Sequence, residues 1–207
     1  MFYWLGAVTL AVLYNLWTCI ARQAFHEMQK QHVPIWLCFD GFADLVYLLD
    51  IGIQFRTGFL HHGLIVCDSK KLCKKYINNK CFIIDIISLV PLDLLQFYIG
   101  IQPMLRFPRF LKVYRSVQFM HMYESRTGYP NLFRVANLSH ILFLGLHWLA
   151  AFYYLISEAD DFQGSWTYPK QEGEYTQVTR KYLASLYWST LILTTIGDSR
   201  TPDTNLQ

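Results

Sequence analysis

Long runs without a charged side chain are the feature that most constrains the fold of this 207-residue chain. Residues 1–20 carry no Asp, Glu, Lys or Arg, and largely apolar segments of similar length follow at 33–55, 81–103, 104–122 and 137–157. A helix needs roughly 20 apolar residues to cross a bilayer, and the first run lacks the basic start and cleavage site of a signal peptide. We therefore predict a membrane protein with five spanning helices, called spans one to five.

Loop charge predicts the orientation of these spans. The segment between spans two and three carries one acid, Asp68, and six cations, Arg56, Lys70, Lys71, Lys74, Lys75 and Lys80. Five acids instead follow span five, at positions 158, 160, 161, 172 and 174. Because Lys and Arg concentrate in cytoplasmic loops, we expect a cytoplasmic amino terminus and an extracellular acidic segment. The basic residues are separated by spans, so nucleic-acid binding is not expected.

Span four carries a cation at every third position, namely Arg106, Arg109, Lys112 and Arg115. On a helix of 3.6 residues per turn this spacing winds the charges slowly around the axis, so successive cations can meet one counter-charge if the helix slides. The pattern is typical of a voltage-sensing helix. A basic amphipathic helix lying on the membrane surface shows the same pattern, and the stripe alone leaves both interpretations open.

Carboxylates in the neighbouring spans favour the voltage-sensor interpretation. Span two contains Asp40, Asp44 and Asp50, and span three contains Asp85 and Asp93. An unpaired carboxylate at the centre of a membrane helix costs roughly 3 kcal/mol, so these acids are expected to pair with the cations. The counter-charges that we predict for the sensor are Asp44, Asp50 and Asp85.

Proline interrupts both of the later sensor spans. Pro108 stands inside the cation stripe and Pro91 lies in span three. Because proline removes a helical hydrogen bond and clashes with the preceding turn, we expect span four to bend or unwind locally between Arg106 and Arg109. Such a break transmits sliding poorly, which predicts weak voltage dependence.

The uncharged stretch 182–197 is too short for a full crossing and fits a re-entrant helix followed by a loop. It leads into Thr195, Ile196, Gly197 and Asp198. A potassium filter reads Thr-Val-Gly-Tyr-Gly, and its backbone carbonyls replace the hydration shell of the ion. Here a carboxylate stands where that filter has Tyr. We therefore predict that these four residues form the ion permeation filter of a cation pore that discriminates poorly between Na⁺ and K⁺.

Asp198 is also the predicted metal-binding position. Four carboxylates in one ring repel one another and favour a divalent cation, so Ca²⁺ is expected to bind there transiently as it permeates. Arg200 lies two residues further on. If its guanidinium pairs with Asp198, it weakens this binding and tunes the pore mouth.

These predictions define a fold class, an all-α membrane protein. A four-helix voltage-sensor-like domain occupies 1–122, a cytoplasmic linker 123–136, and a partial pore domain 137–207 with the fifth span, an extracellular acidic segment, the re-entrant pore helix and the filter. A pore of this design needs another spanning helix to line the conduction path. We therefore expect the sixth span to be missing and the sequence to be a fragment.

Enzymatic function is not expected from the motifs. The chain has no Gly-rich phosphate loop, no nucleophile elbow and no His-Glu-x-x-His motif. The pairs His61-His62 and His26-Glu27 have no third ligand nearby in sequence, so neither is a strong candidate for a metal site. No cofactor is expected within this chain.

Three segments carry a resemblance to a known family. They are DIISLVPLD at 85–93, ESRTGYPNLFR at 124–134 and YWSTLILTTIGD at 187–198. With them, the chain resembles the membrane region of a cyclic nucleotide-gated cation channel subunit. Asp198 and the 126–134 linker are similar to alpha-type subunits, whereas Pro108 and the Pro91-Leu92-Asp93 sequence are similar to beta-type subunits.

The resemblance implies a homo- or hetero-tetramer with related subunits, embedded in the lipid of the plasma membrane and conducting Na⁺, K⁺ and Ca²⁺. It also implies gating by cyclic GMP or cyclic AMP, bound to a cytoplasmic domain of the full-length subunit. Two alternatives stay open: a hyperpolarisation-activated or voltage-gated potassium channel, and a non-conducting truncated subunit that assembles with full-length ones.

Overall fold

The computed structural model describes residues 1–61, 64–66, 68–100, 102–169 and 173–196. Its α-helices are α1 Phe2–Ala24, α2 His26–Gln31, α3 Val33–Gln54, α4 Ser69–Ile77, α5 Lys80–Ser88, α6 Gln96–Ile99, α7 Val113–Glu124, α8 Pro130–Ala159 and α9 Val178–Thr194. Shorter-pitched 3-10 helices cover Leu92–Leu95, Pro103–Lys112 and Gly173–Thr176. These helices confirm the predicted all-α class.

One element was not predicted from the sequence. Strands β1 Phe59–His61 and β2 Leu64–Val66 form an antiparallel hairpin, in which Phe59 lies opposite Val66. The hairpin follows α3 and precedes α4, so it belongs to the basic segment between spans two and three. Strands of three residues carry too little period-2 pattern to be recognised in a sequence.

Two helices among the described residues are long and apolar enough to cross a membrane by length and composition, α1 and α8. Helix α3 has 22 residues, which at 1.5 Å per residue is also long enough for a bilayer, but it carries Asp40, Asp44 and Asp50. The three carboxylates of α3, and not its length, therefore distinguish it from α1 and α8. The predicted spans three and four are each divided into shorter helices.

The chain divides into two compact units. The first comprises Met1–Leu16 and Pro34–Gly128, and the second comprises Trp17–Val33 together with the chain from Tyr129 onward. Helix α1 therefore contributes to both. The predicted division into a sensor domain, a linker and a pore domain stays a prediction, and the compact units differ from it by placing residues 17–33 in the second.

The first unit has an apolar core between α1 and α3. Val8 and Val12 of α1 are fully buried, and Ala43, Val46 and Tyr47 of α3 pack in the same cluster. The opposite surface of α3 exposes large apolar side chains such as Leu37, Phe42 and Leu48. A helix that exposes large apolar side chains on its outer side is suited to a lipid surround, since lipid tails replace protein neighbours there.

Proline positions decide how the rest of this unit is wound. Helix α5 ends at Ser88, shortly before Pro91, which cannot donate a helical hydrogen bond. The first three of the four cations lie in a ten-residue 3-10 helix, Pro103–Lys112, which contains Pro108 and continues into α7, where Arg115 lies. The expected local bend at Pro108 is therefore replaced by tighter winding along the whole segment.

In the second unit, α9 packs against α8. The buried side of α9 is a line of residues spaced four apart, Lys181, Ser185 and Ser189. Ala150 and Ala151 of α8 are also fully buried. Small side chains allow two helix backbones to approach closely, which is how helices associate without a hydrophobic driving force in lipid.

Lys181 fixes the start of α9. Its Nζ donates to Glu27 Oε1 of α2 at 2.6 Å, and its side chain is almost completely buried. Burial by itself would raise the pKa of the Glu27 carboxyl, but the hydrogen bond and charge of Lys181 outweigh it and hold that pKa below its usual value. Glu27 therefore stays ionised and pairs with Lys181 of α9.

An aromatic cluster holds the middle of α9. The ring of Trp188 stacks on that of Tyr153 of α8, with centroids 4.0 Å apart and planes within 9°. Trp166 packs edge-on against Trp188 at 5.2 Å, and Tyr153 donates its hydroxyl to the Trp166 carbonyl. The segment after α8 thus packs on the same face of α8 as α9 does.

Replacing Ser185 with Leu is expected to destabilise the second unit by about 1–3 kcal/mol, because the added carbons have no space between α8 and α9. Ser185→Ala is the matched control. Among the described residues, the Ser185 hydroxyl donates to the carbonyl of Lys181 in its own helix, so its removal is expected to cost less than about 1 kcal/mol. Thermal unfolding of the purified chain in detergent measures both, and equal losses would contradict tight packing at this position.

Candidate functional site

The 3-10 winding of Pro103–Lys112 changes the geometry that the sequence predicted for the cations. At 3.0 residues per turn, residues three apart lie on one face, whereas in an α-helix each step of three turns the side chain by about 60°. Arg106, Arg109 and Lys112 therefore form a straight row rather than a spiral, with successive positions roughly 6 Å apart along the axis. All three, and Arg115 at the start of α7, are at most 4% exposed.

The first two cations of the row share two carboxylates. Arg106 donates to both oxygens of Asp44, with its Nη2 2.8 Å from Oδ1, and Arg109 contacts the same two oxygens at 3.1 and 3.2 Å. Asp93 Oδ2 bridges the two guanidinium groups at 3.0 and 2.9 Å. Asp40 lies 3.6 Å from Arg106 Nε and completes the acidic surroundings.

The last two cations share Asp50, which is completely buried. Arg115 binds it with two parallel hydrogen bonds of 3.0 Å, the geometry that a planar guanidinium fork gives with a carboxylate. Lys112 Nζ lies 3.1 Å from Asp50 Oδ2 and 3.6 Å from Asp85 Oδ1. The structure thus brings all four predicted cations together with the three predicted counter-charges, Asp44, Asp50 and Asp85.

Asp85 also receives two tyrosine hydroxyls. Tyr76 of α4 donates to its Oδ2, and Tyr114 of α7 donates to its Oδ1 at 2.8 Å. Burial, with the neighbouring Asp85 carboxylate, raises the pKa of the Tyr76 hydroxyl, so it stays protonated and acts as a donor. Through Tyr76, the charge network extends to the basic helix α4.

Backbone carbonyls provide further acceptors for the cations. Arg109 donates to the carbonyl of Val90, immediately before Pro91, and Lys112 donates to the carbonyl of Tyr47. Arg106 similarly reaches the carbonyl of Asp40. These carbonyls accept hydrogen bonds from the guanidinium and ammonium protons that do not bond to a carboxylate. A buried ion pair needs such additional hydrogen bonds to offset the cost of removing its charges from water.

Helix α1 supplies three contacts that the sequence analysis missed. Trp4 Nε1 donates to Asp50 at 3.0 Å, and the Tyr14 hydroxyl donates to Asp40 at 2.8 Å. The side-chain oxygen of Asn15, Oδ1, accepts a hydrogen bond from Arg106. Asn15 is the one polar amide in a long apolar run, and this was an available signal for a buried partner. Trp4 and Tyr14 had no such signal, since aromatic residues are common throughout the span.

The described residues end inside the predicted filter, after Thr195 and Ile196. Helix α9 has 17 residues, about 25 Å at 1.5 Å per residue, which is shorter than the roughly 30 Å hydrocarbon core. Its cap, Thr195, adopts left-handed backbone angles with φ 54°, an uncommon conformation for a β-branched residue. Ile196 is 79% exposed. The predicted site residues Gly197, Asp198 and Arg200 lie outside the described residues.

His147 holds α9 in place through hydrogen bonds. The Trp17 carbonyl only accepts, so His147 Nε2 must carry the proton of their 2.8 Å bond, which leaves Nδ1 to accept from Tyr182 of α9 at 3.0 Å. One neutral imidazole therefore connects α1, α8 and α9. Within the described ranges, no group of three His, Cys, Asp or Glu side chains is arranged to hold a metal ion.

Asp50→Asn is expected to destabilise the first unit by about 3–5 kcal/mol, because it leaves Lys112 and Arg115 buried with too little negative charge. Asp93→Asn is the comparison: Asp93 is 24% exposed and its cations keep Asp44, so the expected loss is smaller. Thermal unfolding of the two purified variants in detergent gives the ranking. A loss for Asp93→Asn as large as that for Asp50→Asn would contradict the central role of Asp50.

Comparison with known proteins assigns the chain to a family. Residues 1–206 match the family described as ion transport protein. The chain is 42% identical over 206 residues to the cyclic nucleotide-gated channel rod photoreceptor subunit alpha of Gallus gallus, covering 98% of this chain and 32% of the relative. It is 43% identical over 202 residues to the cyclic nucleotide-gated channel alpha-2 of Oryctolagus cuniculus, covering 96% and 30%.

The chain thus spans about a third of the length of the curated relatives that it matches. The match begins at the first residue and includes both the charge network and the pore helix. Since the match is to channels throughout, the prediction that the chain is not an enzyme is confirmed. The chain belongs to the ion transport protein family, as a membrane channel protein similar to cyclic nucleotide-gated channel subunits.

Proposed function

We propose that this chain is the membrane region of an alpha-type subunit of a tetrameric, poorly selective cation channel that passes Na⁺, K⁺ and Ca²⁺ and is gated by intracellular cyclic nucleotide. The observation that carries this proposal is the 42–43% identity to named cyclic nucleotide-gated channel alpha subunits over nearly the whole chain. Cyclic GMP or cyclic AMP would bind to a part of the subunit other than the residues described above.

The proposed sensor role rests on the paired cation row. The membrane field does roughly 2.3 kcal/mol of work per charge per 100 mV on a cation that crosses it fully. Each cation of the row already contacts at least one carboxylate, and Asp44 and Asp93 are both shared by two cations. Moving the row by one position would break several of these contacts together. The weak voltage dependence expected from the sequence is therefore proposed to arise from this pairing and from the 3-10 winding.

The proposed orientation has a cytoplasmic amino terminus in the plasma membrane. Trp4 contacts Asp50, whereas Tyr14 contacts Asp40, so α1 and α3 run antiparallel and the amino terminus lies at the Asp50 end. Tyr76 connects basic helix α4 to Asp85, whose other neighbour Lys112 also contacts Asp50. The amino terminus and the lysine-rich segment thus share one end of the first unit, and the positive-inside tendency assigns that end to the cytoplasm.

A chimera tests the function directly. The matching region of the Gallus gallus rod photoreceptor subunit alpha is replaced with residues 1–206 of this chain and expressed in cultured cells, with the unmodified relative as the control. We expect a current that requires cyclic nucleotide at the inner face of excised patches. Its reversal potential in mixed Na⁺ and K⁺ solutions is expected near zero. Strong K⁺ preference, or current without nucleotide, would contradict the proposal.

Asp198→Asn in this chimera is expected to weaken block by external Ca²⁺ and Mg²⁺ by about tenfold or more, because a ring of four carboxylates is proposed to hold the divalent ion. Asp161→Asn is the control, since it removes an exposed acid outside the filter. The measurement is the inward current at a series of divalent concentrations. If the Asp198→Asn variant is blocked as strongly as the unmutated chimera, the ring of carboxylates does not hold the divalent ion.

Arg200→Gln is expected to strengthen block by external Ca²⁺ and by protons. A guanidinium close to Asp198 lowers the negative potential at the mouth and favours the ionised carboxylate, so its removal makes both ions more effective blockers. The same currents are recorded across a pH series. An exposed pair contributes under roughly 1 kcal/mol, and inhibition equal to that of the unmutated chimera would show that Arg200 is only a surface charge.

A further inference from the structure

Helix α4 presents a basic surface that the channel mechanism does not use. The α4 patch consists of the exposed lysines Lys70, Lys71 and Lys74. The one acid between residues 56 and 80, Asp68, caps the helix by accepting from the Lys70 amide. Its carboxylate is therefore engaged at the helix start, and the surface formed by the lysines remains strongly positive.

The lysines share one side of the helix because of their spacing. Lys70, Lys71 and Lys74 occupy adjacent positions on an α-helix, where residues three and four apart are neighbours. Leu72 and Tyr76, four residues apart, form the opposite side and are buried. The helix is thus amphipathic, with an apolar side attached to the protein and a cationic side facing out.

Specific contacts fix this helix in place. Tyr76 donates to Asp85 of the charge network and packs edge-on against Phe55 and Phe82, with ring centroids 5.0 and 5.2 Å away. The Lys75 ammonium lies 3.4 Å from the centroid of the Phe59 ring in the hairpin. The backbone of the patch is therefore already ordered, so that ligand binding has to order only the lysine side chains.

An open groove of about 480 Å³ runs along the patch. Two of its lining residues, Lys70 and Lys74, carry ammonium groups, and Ser69 and Asn78 supply a hydroxyl and an amide. Ammonium, hydroxyl and amide donors are the groups that bind phosphate oxygens. The chemistry of the groove therefore fits a ligand with one or more phosphate groups.

Apolar surface beside the groove indicates the source of that phosphate. Ile77 lines the groove and is 47% exposed, and the following helix α5 exposes Ile83 and Ile86. Clusters of Lys and Arg immediately cytoplasmic of a membrane helix attract anionic lipids, with about 1 kcal/mol per cation near the surface. A phospholipid fits both features, because its phosphate can bind in the groove while its acyl chains lie on the exposed isoleucines.

We propose that the α4 patch is a binding site for the headgroup of a phosphoinositide in the cytoplasmic leaflet. The phosphates of the headgroup occupy the groove between Lys70 and Lys74, and the acyl chains lie along the exposed isoleucines of α5. The site uses the proposed orientation of the chain, which places the patch on the cytoplasmic side, and does not depend on conduction or on nucleotide gating.

Binding of short-chain lipids to the purified chain in detergent tests this site. Dioctanoyl phosphatidylinositol bisphosphate is titrated against the unmutated chain, with dioctanoyl phosphatidylcholine as the neutral reference, and affinity is measured by thermophoresis. The triple variant Lys70→Gln/Lys71→Gln/Lys74→Gln is expected to bind at least about tenfold more weakly. The matched variant with three arginines keeps the charge and is expected to bind within about threefold of the unmutated chain.

Two further ligands separate a lipid site from a general phosphate site. Inositol trisphosphate carries the phosphates without acyl chains, and inorganic phosphate carries neither ring nor chains. The lipid is expected to bind at least tenfold more tightly than both. Equal affinity for inositol trisphosphate would overturn the lipid assignment, and equal affinity for phosphatidylcholine, or no loss in the glutamine variant, would overturn the site.

Acetylation footprinting of the unmutated chain provides a test that needs no variant to fold. The phosphoinositide is expected to protect Lys70, Lys71 and Lys74 from a water-soluble acetylating reagent, as measured by mass spectrometry. Lys30 of α2 is the internal control, because it is exposed and belongs to a different loop. Equal modification of the patch with and without the lipid would contradict the proposal even if all variants were unstable.

Discussion

Burial of four cations in an apolar helix bundle is the constraint on which the first unit depends. Removing a charge from water costs several kcal/mol, and the cost is offset only when counter-charges and hydrogen-bond acceptors are in place. Arg106, Arg109, Lys112 and Arg115 meet this condition through carboxylates on α3, α5 and the 3-10 helix Leu92–Leu95. The positions of these elements are therefore tied to one another by charge as well as by packing.

The 3-10 winding of Pro103–Lys112 makes this arrangement possible. Aligning every third residue on one face directs the first three cations at a narrow strip of the bundle, so that Asp44 and Asp93 are shared by Arg106 and Arg109. The same network reaches the α4 patch through Tyr76 and Asp85. A ligand on the α4 patch would thus bind to a helix that itself donates a hydrogen bond to the buried Asp85.

The second unit positions the pore helix by different means. Lys181 pairs with Glu27 at the start of α9, Tyr182 bonds His147, and Trp188 stacks on Tyr153. Small residues along the same helix, such as Ser185, allow close packing on α8. Charge and hydrogen bonding therefore act near the start of α9, and stacking acts further along it. The helix ends at Thr194, immediately before the predicted filter.

The sequence alone determined the membrane class, the cation row and the acids available to it, because charges inside long apolar runs are costly and need partners. It also located the re-entrant helix by its length. Only the tertiary structure decided which acid meets which cation, since that depends on the phase of the helix, and the 3-10 winding replaces a spiral with a straight row. The contacts of Trp4 with Asp50 and of Tyr14 with Asp40 were likewise decided by the tertiary structure, because they depend on how α1 packs on α3. No local sequence pattern in span one indicates that packing.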